Sequence, residues 1–183
     1  MYWGDVSRNG KKGINHMPWR FHQFDATIGE VVLKLLKHLP PEERGSVAKV
    51  ARHFTMVLGS AWQAGDGMVG VLEGRWSGNY SDGKKPTAWT GSRQIFEQYL
   101  RQPTVAVKYG QCWVFSAILT SAYRYLGIPA RSVTNFRSAH EHPPYDHFIS
   151  SKDKDGSTWN FHVWGAWVEA KGGGGAHMGC MCW

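Results

Sequence analysis

The run Tyr109-Gly-Gln-Cys112-Trp-Val-Phe-Ser sets a mid-chain cysteine just after a glycine and at the head of an apolar, helix-forming stretch. Gly110 lets the chain turn sharply, so the thiol would sit in the first turn of the helix. Backbone N–H groups at a helix N-terminus favour a thiolate and can donate to an oxyanion formed beside it. That chemistry is nucleophilic acyl transfer; an inert buried thiol is the other reading of a single cysteine, so its neighbours must decide.

A thiolate needs a base, and the histidines are the candidates. In Trp159-Asn-Phe-His162-Val-Trp164, period-two alternation puts Asn160, His162 and Trp164 on one face and Phe161 and Val163 on the other. With Phe161 and Val163 in a core, His162 is expected to face outward, toward the Cys112 helix or simply toward solvent. His140, His142 and His147 belong to a polar connection, and a strand holds a catalytic side chain in register better than a loop does.

These residues need elements to position them. After Asp25, an N-cap type, apolar residues at Ile28, Val31, Val32, Leu35, Leu36 and Leu39 mark a helix closed by Pro40 and Pro41. A second helix is expected from about Ser46 to Gly59, and a third near Ser92–Leu100. The best-marked one runs from about Cys112 to Leu126, with Gly127 in the C′ position and Pro129 beyond. Residues 63–91 read as loops around Val69–Trp76. Ala130–Phe136 and Trp159–Trp167 read as strands, and residues 137–157 as a polar connection. Helices first and strands later imply an α+β fold.

Tyr109-Gly-Gln-Cys-Trp-Val-Phe resembles the active-site signature of animal transglutaminases. Leu126-Gly-Ile-Pro-Ala-Arg-Ser-Val-Thr-Asn-Phe-Arg-Ser-Ala-His140 and Trp159-Asn-Phe-His-Val-Trp164 are similar to two further motifs of that family. Upstream, Pro18-Trp19 with Gln23-Phe24, and Gly70-Val-Leu-Glu-Gly-Arg-Trp76 with Asn79-Tyr80, resemble it too. The likeness runs from about residue 3 to about 167. It implies a papain-like α+β core and a two-step reaction with Cys112 as nucleophile and His162 as acid and base. A protein glutamine forms a thioester with loss of ammonia, and a lysine or small amine then takes the acyl group. The resemblance further implies that Trp76 and Trp159 line the amine's tunnel and that the Trp76 indole N–H, a donor only, stabilises the oxyanion.

The family also implies calcium, held by hard oxygen ligands. The positions to match are Asp66 in the first cluster and Glu141 and Asp146 in the second, with Asp153 and Asp155 further on. It implies, too, an aspartate downstream of the histidine to orient the imidazole. Residues 163–183 hold neither Asp nor Asn, and Glu169 is their one acid. The expectation is therefore a catalytic core over 1–169, incomplete on its C-terminal side, and a Gly-rich, disordered tail over 170–183. The alternative function is a catalytically impaired relative serving as a binding or scaffold protein; a papain-like thiol protease would share the chemistry without the tryptophans.

Composition narrows the rest. One domain fits 183 residues, and ten tryptophans suggest rings lining a groove as well as a core. The net charge of +7 comes from scattered residues with no nucleic-acid-binding motif, so no nucleic-acid partner is expected. No apolar run is long enough for a bilayer span. Three cysteines without a secretory leader suggest reduced thiols in the cytoplasm. His177, Cys180 and Cys182 are soft metal-ligand types, but three in a glycine-rich stretch make a weak site.

Overall fold

A computed structural model of the chain describes residues 2–5, 14–139, 158–171 and 175–181, with side chains described over 17–136 and 161–168. The helices begin where the caps predict. Helix α1, Ala26–Leu36, starts with the Thr27 N–H donating to Asp25 Oδ1 at 2.9 Å. Its stripe of Ile28, Val31, Val32 and Leu35 is fully buried. Helix α2, Val47–Val57, is capped by Ser46, whose Oγ accepts from the Lys49 N–H, and buries Val50, Ala51, Phe54 and Val57. Helix α3, Ser92–Arg101, turns Ile95, Phe96 and Tyr99 inward.

Helix α4, Cys112–Tyr125, is buried along its whole length from Cys112 to Tyr123. A helix covered on all sides cannot be amphipathic, and its polar residues must be satisfied internally. Ser116 Oγ donates to Ser132 Oγ at 2.8 Å, and the Tyr123 hydroxyl donates to the Ala51 carbonyl at 2.9 Å. Gly127, at φ +78°, takes the left-handed C′ position and lets the chain leave the helix.

Among the described residues the strands form three small sheets. Strands β1, Tyr2–Asp5, and β2, Ile14–His16, pair antiparallel; β3, Leu72–Gly74, and β4, Val107–Gly110, pair parallel. Strand β5, Ala130–Ala139, pairs antiparallel with β6, Thr158–Lys171, which in turn pairs with β7, Gly175–Met181. The β5–β6 sheet lies against α4: a Cβ on Gly165 would come within 3.0 Å of Leu119 Cδ2. The result is the α+β arrangement expected from the sequence.

The strand list differs from expectation in two ways. Three- and four-residue strands such as β1–β4 carry too few alternations to announce themselves. Where its residues are described, the stretch read as a disordered tail continues β6 to Lys171 and adds β7, with Glu169 opposite His177 and Ala166 opposite Cys180. Main-chain pairing to a long neighbouring strand supplies what the glycine-rich side chains do not. Among the described residues, no helix is long and apolar enough to cross a membrane.

Candidate active site

Strand β4 delivers the chain to Gly110, an extended Gln111 leads on, and Cys112 opens α4. The thiol is free and only 3% exposed. Burial pushes its pKa up; the backbone amides of Val163, Trp113 and Cys112 itself pull the other way but with less effect. The helix N-terminus thus acts on the sulfur as the sequence implies, yet desolvation outweighs it in this conformation.

The Val163 amide is the link to the histidine. It belongs to β6, so the strand's segment at 162–163 comes directly against the head of α4. One residue away, His162 lies opposite Asn135 in the β5–β6 register. Val163 is buried, as alternation predicts, and Phe161 is half-buried with its ring 6.1 Å from that of Trp113. His162, however, is only 7% exposed, not outward in solvent. The Trp164 ring, next but one along the strand, meets the imidazole edge-on at 5.7 Å. Alternation separates the two faces of a strand but does not say whether the second face is covered.

Trp76 follows β3 and is 48% exposed. Its ring lies over Gly74, where an added Cβ would stand 2.6 Å from Trp76 Cζ3 and 3.3 Å from Phe115 Cε2. Phe115 is one turn into α4 from Cys112, so the exposed indole flanks the helix that carries the thiol. Trp159 is placed on β6 opposite Ser138 by its backbone; its side chain lies outside the described residues.

Sequence reasoning missed the residues that bind the Trp76 segment to the Cys112 turn. The Arg75 N–H donates to the Gly110 carbonyl at 3.1 Å. Gln111 Nε2 donates to the Arg75 carbonyl at 3.1 Å and to the Tyr80 hydroxyl at 3.0 Å. Below them, Asp82 accepts from the Tyr109 hydroxyl at 2.5 Å, from Lys108 Nζ at 3.0 Å and from Arg75 Nη1 at 2.9 Å. These donors, the Tyr109 hydroxyl first, hold the Asp82 carboxyl far below the usual carboxylate range. The Arg75 guanidinium also stacks 3.8 Å over the Tyr109 ring. The one sequence signal was proximity, since Gln111 adjoins Cys112 and Arg75 adjoins Trp76.

Of the calcium candidates, Asp66 is exposed; its Oδ1 accepts from the Met68 N–H at 3.1 Å and its Oδ2 lies 3.6 Å from His38 Nε2. Among the described residues no three His, Cys, Asp or Glu side chains gather, so what is described there does not fit a calcium ion, which needs six to eight oxygens. Glu141, Asp146, Asp153 and Asp155 lie outside the described residues, as do His140, His142, His147 and Cys182.

The thiol at the head of α4 thus lies beside the strand that carries His162. The Transglutaminase-like superfamily model matches residues 77–175, a stretch that takes in both Cys112 and His162. The chain belongs to the transglutaminase-like superfamily. It is 41% identical to rat protein-glutamine gamma-glutamyltransferase 4 over 170 residues, covering 86% of this chain and 24% of that protein. With human protein-glutamine gamma-glutamyltransferase 5 it shares 36% over 189 residues, 92% of this chain and 25% of the relative. The crystal structure of red sea bream transglutaminase superposes with a TM-score of 0.72 at 32% identity, over 91% of this chain and 28% of that one. This transglutaminase-like chain therefore spans about a quarter of the length of the curated relatives it matches.

Proposed function

We propose that the chain carries the catalytic core, over residues 1–169, of a protein-glutamine γ-glutamyltransferase. The observation that carries this is the Cys112 thiol, set in the first turn of α4 against the Val163 amide next to His162. In the reaction, the proton of Cys112 passes to His162 and the sulfur attacks the side-chain carboxamide of a protein glutamine. The S–C bond forms, and the carbonyl oxygen becomes an oxyanion facing the Cys112 N–H and the Trp76 indole N–H. The C–N bond then breaks as His162 returns the proton to the departing ammonia, leaving a thioester. A lysine or small amine, arriving between Trp76 and Trp159, attacks the thioester while His162 takes its proton, and the isopeptide bond releases the thiol. Water in the amine's place gives glutamate.

Calcium dependence enters through the family resemblance alone, with Asp66, Glu141 and Asp146 as the positions it calls on; no step above is routed through the ion. A reducing, cytoplasmic setting goes with a thiol nucleophile and is part of the same proposal. Incorporation of a labelled amine into a glutamine-bearing acceptor, with Cys112→Ala as control, tests the reading. Amine incorporation that survives Cys112→Ala overturns it, and peptide hydrolysis without amine transfer points to a thiol protease.

One observation favours a second reading. A thiol 3% exposed, with its pKa raised by burial, is what a non-enzymatic binding or scaffold relative would keep as core. That reading predicts no thioester with any acyl donor.

A further inference from the structure

Gln111 occupies the N-cap position of α4, yet its side chain makes no capping hydrogen bond. A cap residue ordinarily turns its side chain onto the first free N–H groups of its own helix. Here the amide reaches across the sequence instead. Its Nε2 donates to the Arg75 carbonyl at 3.1 Å and to the Tyr80 hydroxyl at 3.0 Å, using both N–H bonds. The Tyr80 hydroxyl itself lies 3.4 Å from the same Arg75 carbonyl. The Arg75 N–H donates to the Gly110 carbonyl, so residue 75 is gripped at both ends by residues 110 and 111. Gln111 immediately precedes Cys112, and Arg75 immediately precedes Trp76.

We propose that Gln111 is a positioning residue that fixes Trp76 relative to Cys112, so that the indole N–H and the helix-head amide address the same oxyanion. The proposal rests on the acyl-transfer reading above. Trp76 is half exposed, so the placement of the backbone that carries it bears directly on where the ring stands. The Gln111–Arg75–Tyr80 triangle holds the backbone just before the ring, and the ring itself lies against Gly74. Oxyanion stabilisation depends on donors held in place before the charge forms, so loosening the segment should cost acylation without touching the sulfur.

The experiment compares two reactions of Cys112 in the full chain. Alkylation by iodoacetamide needs only the thiolate; acylation by an activated p-nitrophenyl ester also passes through an oxyanion. Gln111→Ala is expected to slow acylation on the order of tenfold or more, as for a misplaced catalytic donor, and to leave alkylation unchanged. In a Trp76→Phe background, which has no indole N–H to position, Gln111→Ala should cost nothing further. Equal losses in both backgrounds, or equal losses in both reactions, would assign Gln111 a structural role and overturn the proposal. Tyr80→Phe, a milder change to the same triangle, should give a smaller loss in the same direction and serves if Gln111→Ala does not fold. If the unaltered chain is alkylated but never acylated, the acyl-transfer reading fails. Hydrogen exchange over residues 75–80 then decides the anchoring by itself: faster exchange in Gln111→Ala upholds it, and unchanged exchange overturns it.

Discussion

The hydroxyls of Ser92 and Ser121 meet at 2.6 Å between α3 and the central helix α4, both fully buried. Ser121 Oγ donates to the Ala117 carbonyl at 3.0 Å, and Trp19 Nε1 donates to Ser92 Oγ at 2.9 Å. Two distant segments, that of Trp19 and the head of α3, are thus pinned to the helix that carries the thiol. Ser92→Ala removes the acceptor of the Trp19 indole N–H and the partner of Ser121, and should cost about 1–3 kcal/mol, the range for a buried polar group left unsatisfied. Urea unfolding of the purified variant measures this, and a loss too small to detect would show that water takes the place of the hydroxyl.

The Cys112 thiol, with its pKa raised above the ordinary 9.0, should react with iodoacetamide slowly at neutral pH. Its rate should keep climbing into alkaline solution. The same shift bears on stability: the folded state holds the thiol proton more tightly than the unfolded state does. This contribution is therefore whole below the unfolded-state pKa and is lost as pH rises through the folded one. Melting temperature should fall with alkalinity more steeply than in Cys112→Ser. A rate that levels off near neutral pH would mean that His162 holds Cys112 as an ion pair.

Gly74 leaves room for the Trp76 ring. Gly74→Ala would put a methyl group 2.6 Å from Cζ3, a separation that carbon atoms do not tolerate, so the ring must swing away. Acylation by an activated ester should then drop toward the level of Trp76→Ala, on the order of a hundredfold below the unaltered chain. Wild-type acylation in a folded Gly74→Ala protein would remove Trp76 from the oxyanion site.

The carboxylate that the family resemblance implies downstream of His162 has no match in residues 163–183. Glu169 is the one acid there, but β6 is continuous from Thr158 to Lys171. Seven residues of extended strand span roughly 23 Å, so the Glu169 backbone stands far along the strand from His162. A polypeptide of these 183 residues alone should incorporate labelled amine about 10⁴-fold more slowly than one that carries a complete triad, the loss typical of a missing orienting acid. Joining a related enzyme's sequence after Trp164 should restore the reaction. Robust incorporation by the unaltered chain would falsify this.

Much of the frame is legible because local signals mark it. Asp25 and Pro40 bracket α1, Ser46 opens α2, and Cys112 and Gly127 bracket α4. The site is legible only in part. Cys112 and His162 stand out by residue type and motif, whereas the bonds from Gln111 to Arg75 join positions 36 apart in sequence and leave no periodic trace. His162 lies deeper than alternation suggests, because a second covering surface is a tertiary fact. Strand β7 escapes notice because glycine-rich sequence has little strand propensity and pairs here through its main chain.

The parallel pairing of β3 with β4 bears on how the site comes into being. Leu72 sits beside Val107, and Gly74 beside Gly110, across a connection that includes all of α3. Closing so long a loop costs chain entropy before any of the resulting contacts can repay it, and contacts of this kind slow folding. The helices can take shape from nearby sequence, but Trp76 and Cys112 are brought to one place only when the two strands find each other. During refolding, helical signal should therefore return ahead of the native environment of the Cys112 thiol, and the site should be among the last parts of the molecule to assemble.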